Sequence, residues 1–461
     1  MRFLYFYRVP LPDPRADAIQ IVNTCAGIAR AGGEVDLRVE TMRSATADEC
    51  LAYYGVTLQG GEGMGTIAIA AAGTHWSWPL FDWKTSASAL KRLGGDRASL
   101  FVREVRPYTP GLIARAHAAG LKVIFEAHNV SSSLVKEKER KAAAPSSRSF
   151  SLVSPEGKSA LKLVGEGDEH GHHDHGGEHH ETAEAEPTPP NVDTTPAPPP
   201  PAANPADARR LARKAAERAA LEESILRAAD GLICTQRATM DGLRHLLKAG
   251  APATVLGNGT QLPPIPEAQA TGRATGDIDV LYCGSLKPWK GVDTLVAAMQ
   301  TLYPYRLTLV GPGTKEDVAR LQQAALAVGM VERLKILPPV KPSEVWGLYA
   351  RAKVGVIPLP GEGFVEARDF TSPLKLFEMM AAGLPIVCSR LKSLQEYVSD
   401  GREALMVTAD DPRQLAEGLR KVLKDENLRG ALAAAARARA GEFSWDSRGR
   451  KIVTFAEQLF G

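Results

Sequence analysis

The sequence predicts an α/β protein made of two doubly wound parallel halves. Three observations predict it. Short, nearly continuous apolar runs alternate with helical periodicities, as strands covered on both faces by crossover helices require. The alternation stops in a stretch rich in Pro, Ala, Thr and Gly near 261–277, then begins again. Several apolar runs end in glycine turns, where the carboxyl end of a parallel strand hands over to a helix. Each half is therefore expected to be Rossmann-like.

The first half, residues 1–262, opens on the strand RFLYFYRV, the turn PLPDPRAD and the helix AIQIVNTCAGIARAGG, which stops on glycines. EVDLRVE, TIAIAAAG, SLFVREV, LKVIFEAHN, GLICTQ and TVLGNG read as further strands. TPGLIARAHAAG and RATMDGLRHLLKAG read as helices between them. The second half, 263–440, repeats the pattern. Its strands are IDVLYCGSL, LTLVGPG, VERLKILPPV, VGVIPLP and LPIVCS, and its helices include GVDTLVAAMQTL, EDVARLQQAALAVG and SEVWGLYARA. SWDSRGRKIVTFAEQLF, within 441–461, is an amphipathic helix expected to pack back toward the first half.

With 461 residues, 44% hydrophobic and 24% charged, each half can bury its own core. Cys25, Cys50, Cys234, Cys283 and Cys388 lie far apart without a CxxC pair, which argues against a disulfide framework or zinc knuckle and for a reducing cytoplasm. The N-terminus lacks the apolar core of a signal peptide, and no apolar run approaches the roughly 18 residues of a spanning helix.

The segment from about 136 to 208 fits neither half. It turns charged, then His- and acid-rich, then Pro-rich, and is expected to be a disordered insertion. Six of the ten histidines lie between His170 and His180. Such a tract can attract metal, but it lacks the scaffold that fixes a catalytic or structural site. Residues 163–208 carry ten acids and no Lys or Arg, so the rest of the chain holds 56 bases against 43 acids. That surplus favours anionic partners: phosphates, nucleotides or an anionic membrane face.

FTSPLKLFEMMAAGLPIVCS, residues 370–389, is the most informative stretch. Ser372 at the N-cap and Pro373 at N1 suit a helix start, and Gly383 suits its stop. Lys375 then falls in the first turn, where the macrodipole disfavours a cation unless an anion binds there. Glu378, one turn on, needs hydroxyl or N–H partners in an apolar setting. A diphosphate at the helix tip and a ribose diol one turn deeper would answer both needs. An internal Lys375–Glu378 ion pair would answer them as well. In CGSLKPWKGVDTL and LVGPG, Gly284 and Gly311 open glycine loops at the same sheet edge.

In these pieces the chain resembles the family-4 retaining glycosyltransferases of the GT-B fold. YCGSLKPWKGVD, LTLVGPG, VKPSEVWGLYARAKVGVIPL, TSPLKLFEMMAAGLPIVCS, SLQEYVSDGREALMVTADDP and FSWDSRGRKI run in the family's order over about 180 residues. VIFEAHN, LRAADGLICTQ and VLGNGT resemble it more loosely. The resemblance implies that the second half binds a nucleotide-diphosphate sugar and the first half an acceptor. It implies that Lys290 holds the diphosphate and that Glu378 holds the ribose. It further implies that the amides of Leu374 and Lys375 cradle phosphate, and that His128 faces the donor sugar. Gly284, Ser285, Gly311, Ser372 and Pro373 complete the expected donor site. Two positions depart from the family. Ser285 stands where arginine is usual, leaving Lys287 or Arg368 to assist Lys290. Phe370 stands where the first glutamate of a pair is usual, with Glu362 and Glu366 nearby but out of register.

The resemblance also implies chemistry without an enzyme nucleophile: the acceptor hydroxyl attacks on the face that the diphosphate leaves, and a phosphate oxygen takes its proton. No metal or other cofactor is expected. Asp277 and Asp279 mimic a metal motif but lie at the wrong sheet edge. The expected acceptor is a glycan, a lipid-linked glycan or a small molecule, and no nucleic acid is expected. The helix RRLARKAAER offers peripheral contact with an anionic membrane at the cytoplasmic face. Two other readings stay open: a nucleotide-sugar epimerase on the same fold, and a non-catalytic relative that works through its His-rich insertion.

Overall fold

The computed structural model describes residues 1–58, 64–71, 97–128, 130, 205–264 and 276–461. Most of the expected insertion and of the linker, and the whole His-rich tract, lie outside the described residues. Residues 205–208 open a helix instead.

The N-terminal lobe runs β1 (Arg2–Tyr7), α1 (Ala16–Arg30), β2 (Glu34–Val39), α2 (Ala47–Tyr53), β3 (Ile67–Ala71), β4 (Ala98–Val102), α3 (Thr109–Ala118), β5 (Lys122–Ala127), α4 (Pro205–Ala228), β6 (Gly231–Cys234), α5 (Arg237–Leu243) and β7 (Ala253–Val255). Its strands form one parallel sheet in the order β3-β2-β1-β4-β5-β6-β7.

The C-terminal lobe runs β8 (Ile278–Cys283), α6 (Val292–Met299), β9 (Leu307–Val310), α7 (Lys315–Ala327), β10 (Leu334–Leu337), α8 (Val345–Arg351), β11 (Ala352–Ile357), α9 (Val365–Asp369), α10 (Leu374–Ala382), β12 (Ile386–Ser389), α11 (Lys392–Gln395), β13 (Leu405–Val407), α12 (Pro412–Lys424) and α13 (Glu426–Ala440). Its sheet is also parallel, in the order β10-β9-β8-β11-β12-β13. The apolar runs are strands because helices cover both faces of each sheet, so no residue of β4, β6, β9 or β12 needs to be polar for solvent. All five cysteines are buried and free.

The last helix, α14 (Trp445–Gln458), belongs to the second half in sequence but packs on α1 of the first. Two glycines allow the close approach. A Cβ on Gly27 would lie 2.1 Å from the Trp445 carbonyl oxygen, and one on Gly449 would lie 2.0 Å from Gly27. Arg30 pairs with Asp446 at 2.9 Å, and the buried Arg448 pairs with the buried Glu126 of β5. Arg448 also donates to the carbonyls of Leu256 and Gly257, so one guanidinium ties α14 to β5 and to the segment leaving β7.

The two sheets present their carboxyl edges to each other. Hydrogen bonds between strand-end segments show this directly. Gln236, after β6, donates to the Thr371 carbonyl, and Asn258, after β7, donates to the Ser372 carbonyl at 2.6 Å. Glu396 accepts from the Arg237 amide at 2.9 Å, capping α5 of the opposite lobe. No helix among the described residues is long and apolar enough to cross a membrane.

Candidate functional site

The site grows from the loop after β8. Gly284 has φ +148° and Gly311, after β9, has φ +146°, a region that disfavours side chains. A Cβ on Gly311 would lie 2.1 Å from the Gly284 carbonyl oxygen, so the two loops touch backbone to backbone. Gly284 also leaves room for Lys375: a Cβ there would lie 2.5 Å from the Lys375 ammonium. Below it, the Tyr282 ring carries that ammonium at 3.9 Å from its centroid, and the Tyr282 hydroxyl donates to the Ser285 carbonyl at 2.7 Å.

Lys375 sits in the first turn of α10. Its Nζ is buried and makes no hydrogen bond. Burial, followed by the charge of Lys290, pushes its pKa down to about 7. Lys290, from the short 3-10 turn Pro288–Lys290, stands over the Trp289 ring at 3.8 Å, and burial pushes it down to about 8. Two ammonium groups thus repel each other at one sheet edge. Each is steadied by an aromatic face worth about 0.5–2 kcal/mol, less than the desolvation of a charge costs.

Glu378 lies one turn deeper on α10. Its Oε2 accepts from the buried Tyr349 hydroxyl at 2.8 Å. Burial raises its pKa, while the Tyr349 hydrogen bond and the charge of Lys375 oppose the rise. The internal Lys375–Glu378 ion pair does not form, because Lys375 Nζ has no partner.

Several expectations need correcting. Ser372 does not cap α10. The helix starts at Leu374, Pro373 is the capping position, and Ser372 Oγ accepts from the Asn258 amide at 3.0 Å across the lobes. Pro373 keeps a helix-compatible φ of −75° but an extended ψ of 123°, so the helix begins one residue later. Neither expected assistant of Lys290 is spare. Lys287 pairs with Asp317 at 2.8 Å, and Arg368 pairs with Asp369 at 2.6 Å. The second cation beside Lys290 is Lys375. Phe370 is buried among N-terminal lobe side chains such as Val130 and Met240, so the family's glutamate position is here an apolar plug between the lobes. Asp277 and Asp279 lie at the edge expected for them, the amino end of β8, where Arg351 and Lys353 engage them.

His128 follows β5 on the facing edge. Its Nε2 stands 3.4 Å from Glu126, and burial with the nearby charge of Arg103 pushes it down to about 4. It is neutral near pH 7. The structure therefore brings Gly284, Ser285, Lys290, Gly311, Lys375 and Glu378 together in one lobe and places His128 in the other. Sequence reasoning missed Tyr282 and Tyr349, which lie on a strand and a helix that pattern reading treats as core. It also missed Glu126 and Arg448, although a lone acid in VIFEA is a signal for a buried pair. No group of three or more His, Cys, Asp or Glu able to hold a metal ion occurs among the described residues.

Comparison with known proteins agrees with this architecture. Residues 277–425 match the family model described as Glycosyl transferases group 1. The D-inositol 3-phosphate glycosyltransferase of Corynebacterium urealyticum is 28% identical over 187 residues, which cover 39% of this chain and 42% of that protein. The glycogen synthase of Mycobacterium tuberculosis is 31% identical over 247 residues, covering 52% and 56% respectively. The chain spans about half the length of the curated relatives it matches. Among solved structures, sucrose-phosphate synthase from Thermosynechococcus elongatus superposes with a TM-score of 0.61 at 17% identity, covering 100% of this chain and 99% of the other. Anabaena HepE in complex with UDP gives 0.60 at 13% identity, covering 99% and 100%. Residues 277–425 thus match the group 1 glycosyl transferase model, within a chain whose two facing parallel sheets have the GT-B fold.

Proposed function

We propose that the chain is a glycosyltransferase that moves a hexose-type sugar from a nucleotide-diphosphate sugar to an acceptor held by the N-terminal lobe, with retention at the anomeric carbon. The observation that carries this reading is the Lys375 ammonium, buried, unpartnered and pressed toward Lys290. Two lysines without a salt-bridge partner among the described residues match a diphosphate, whose charge they would neutralise at the carboxyl edge of the sheet. Free amides at the start of α10 would add to that grip. Glu378, oriented by Tyr349, is placed to accept from a ribose diol one turn deeper.

In this reading the site works by position and charge. The lysines stabilise the diphosphate as the glycosidic C–O bond breaks. The acceptor hydroxyl attacks from the same face, and a departing phosphate oxygen takes its proton. His128, neutral near pH 7, acts as a hydrogen-bonding group toward the sugar and not as an acid. The lysines supply the charge that a divalent cation would otherwise bring, so no metal is required. Glycan or glycoconjugate synthesis in the cytoplasm is the setting that suits such a donor. Neighbours solved with UDP and UDP-glucose make a uridine-diphosphate sugar the first donor to try.

The test is turnover of a panel of nucleotide sugars with and without mixed acceptors, followed by release of nucleoside diphosphate. Acceptor-dependent release with the anomeric configuration kept supports the proposal. Conversion of the donor sugar without acceptor would instead make the chain an epimerase. No turnover of any donor would leave a non-catalytic relative as the better reading.

A further inference from the structure

The donor groups of the proposed transferase sit on α10, and the loop that enters α10 is held from the other lobe. Gln236 stands at the N-cap of α5, yet its side chain does not cap that helix. Glu396 of the C-terminal lobe takes the Arg237 amide instead, at 2.9 Å. The Gln236 carboxamide reaches across and donates to the carbonyls of Thr371 and Ser393, the latter at 3.3 Å. Asn258 clasps the next residue twice. Its backbone amide donates to Ser372 Oγ at 3.0 Å, and its Nδ2 donates to the Ser372 carbonyl at 2.6 Å.

The stretch GNGT shows how Asn258 comes so close. A Cβ on Gly257 would lie 2.5 Å from the Tyr397 ring of the C-terminal lobe, and one on Gly259 would lie 2.7 Å from the Trp445 ring. Glycine on both sides of Asn258 admits that packing. Arg448 fixes the same segment by donating to the Gly257 carbonyl at 2.6 Å. Phe370 is buried against N-terminal lobe side chains. Phe370, Thr371 and Ser372 are therefore attached to the first lobe, although in sequence they belong to the second.

One residue, Pro373, separates the Ser372 carbonyl from the Leu374 amide. Its ring fixes φ, here −75°, and it has no N–H. The direction of the first amides of α10, and of Lys375 behind them, thus follows Thr371 and Ser372. The clasp is more than packing. Gln236 Oε1 and Asn258 Oδ1 are buried with no hydrogen-bond partner among the described residues. An apolar side chain of similar shape would avoid that cost, but it could not donate to the loop carbonyls.

We propose that Gln236 and Asn258 are positioning residues of the donor site: two carboxamides of the N-terminal lobe set the 371–373 loop and so aim the first turn of α10 at the diphosphate. This rests on the transferase reading and adds that the lobe assigned to the acceptor also governs the grip on the donor.

The experiment is calorimetric titration of the full chain with UDP, ADP and GDP and with their monophosphates. It compares the wild type, Gln236→Met, Asn258→Leu, Lys375→Met, and Asn258→Leu combined with Lys375→Met. Methionine and leucine match the replaced side chains in size and bury no charge. Circular dichroism checks each fold, and if one of the two variants fails to fold the other carries the test. Gln236→Met and Asn258→Leu are each expected to weaken the best-bound diphosphate about five- to twentyfold, and its monophosphate less than about twofold. With Lys375→Met already present, Asn258→Leu should cost about threefold or less, because the ammonium that it helps to aim is gone. An equal loss on mono- and diphosphate overturns the proposal, since it marks general loosening of the junction. So does a loss just as large beside Lys375→Met. A wild type that prefers diphosphate, with variants that keep the full preference, overturns the positioning role alone. A wild type that binds no diphosphate better than its monophosphate overturns the donor-site reading and this proposal together.

Discussion

Replacing Lys375 by methionine keeps most of the side chain's apolar length and removes its charge. In the unliganded protein, that charge sits over Tyr282 with no hydrogen bond among the described residues, and burial, followed by the charge of Lys290, pushes it toward neutrality. Because the pKa falls from its ordinary 10.5 to about 7, the unfolded chain binds the proton more tightly than the folded one. The resulting destabilisation is fully present below about pH 7 and is relieved as the pH rises toward the unfolded value. Allowing for relaxation and water, it amounts to roughly 2–4 kcal/mol at pH 6. Lys375→Met should therefore raise the melting temperature at pH 6, by about 5 °C or more for a domain of this size. The gain should shrink between pH 7 and pH 9, as the wild type sheds the same proton. The same substitution should weaken nucleoside diphosphate binding by about 1.5–3 kcal/mol, a factor of roughly 10–150. Thermal melts across pH, with and without nucleotide, check both halves. A variant less stable than the wild type at pH 6, or one that binds nucleotide equally well, would refute the reasoning.

Four other outcomes follow from the same geometry. Glu126→Gln leaves the Arg448 guanidinium buried without its counter-charge, and chemical denaturation should show a loss of about 3–5 kcal/mol. Gly284→Ala places a methyl group 2.5 Å from the Lys375 ammonium at a φ of +148°, and should lower both the melting temperature and nucleotide affinity. Glu378→Gln should weaken nucleotide sugars carrying a ribose diol by about 1–2 kcal/mol, and titration with a 2′,3′-dideoxy analogue should show that the difference vanishes. Turnover in the presence of a chelator should match turnover without it, since Lys290 and Lys375 supply the charge.

The fold was readable because parallel strands covered on both faces must be apolar along nearly their whole length, as GLIC is, and helices between them must keep a polar stripe. Boundaries shifted by a residue or two where proline sets the backbone, as at Pro373. Within the candidate site, Gly284 and Gly311 announce themselves as glycine turns, Lys375 and Glu378 as charges out of place in apolar surroundings, and Lys290 through the family resemblance. The tertiary partners do not. Nothing local in YARA tells Tyr349 from a core tyrosine until α8 packs against α10, and Tyr282 becomes a platform only when Lys375 arrives from ninety-three residues away. Phe370 shows the converse limit. The sequence marks it as a departure, but only the packing of the two lobes shows that it fills their junction.

The most direct measurement is calorimetric titration of the protein with a nucleoside monophosphate, the corresponding diphosphate and a nucleotide sugar at pH 7, repeated on Lys290→Met and Lys375→Met. If the two ammonium groups grip a diphosphate, the diphosphate should bind at least about tenfold more tightly than the monophosphate, and each substitution should erase most of that gap. Equal affinity for mono- and diphosphate in the wild type, or a gap that survives both substitutions, would contradict the account.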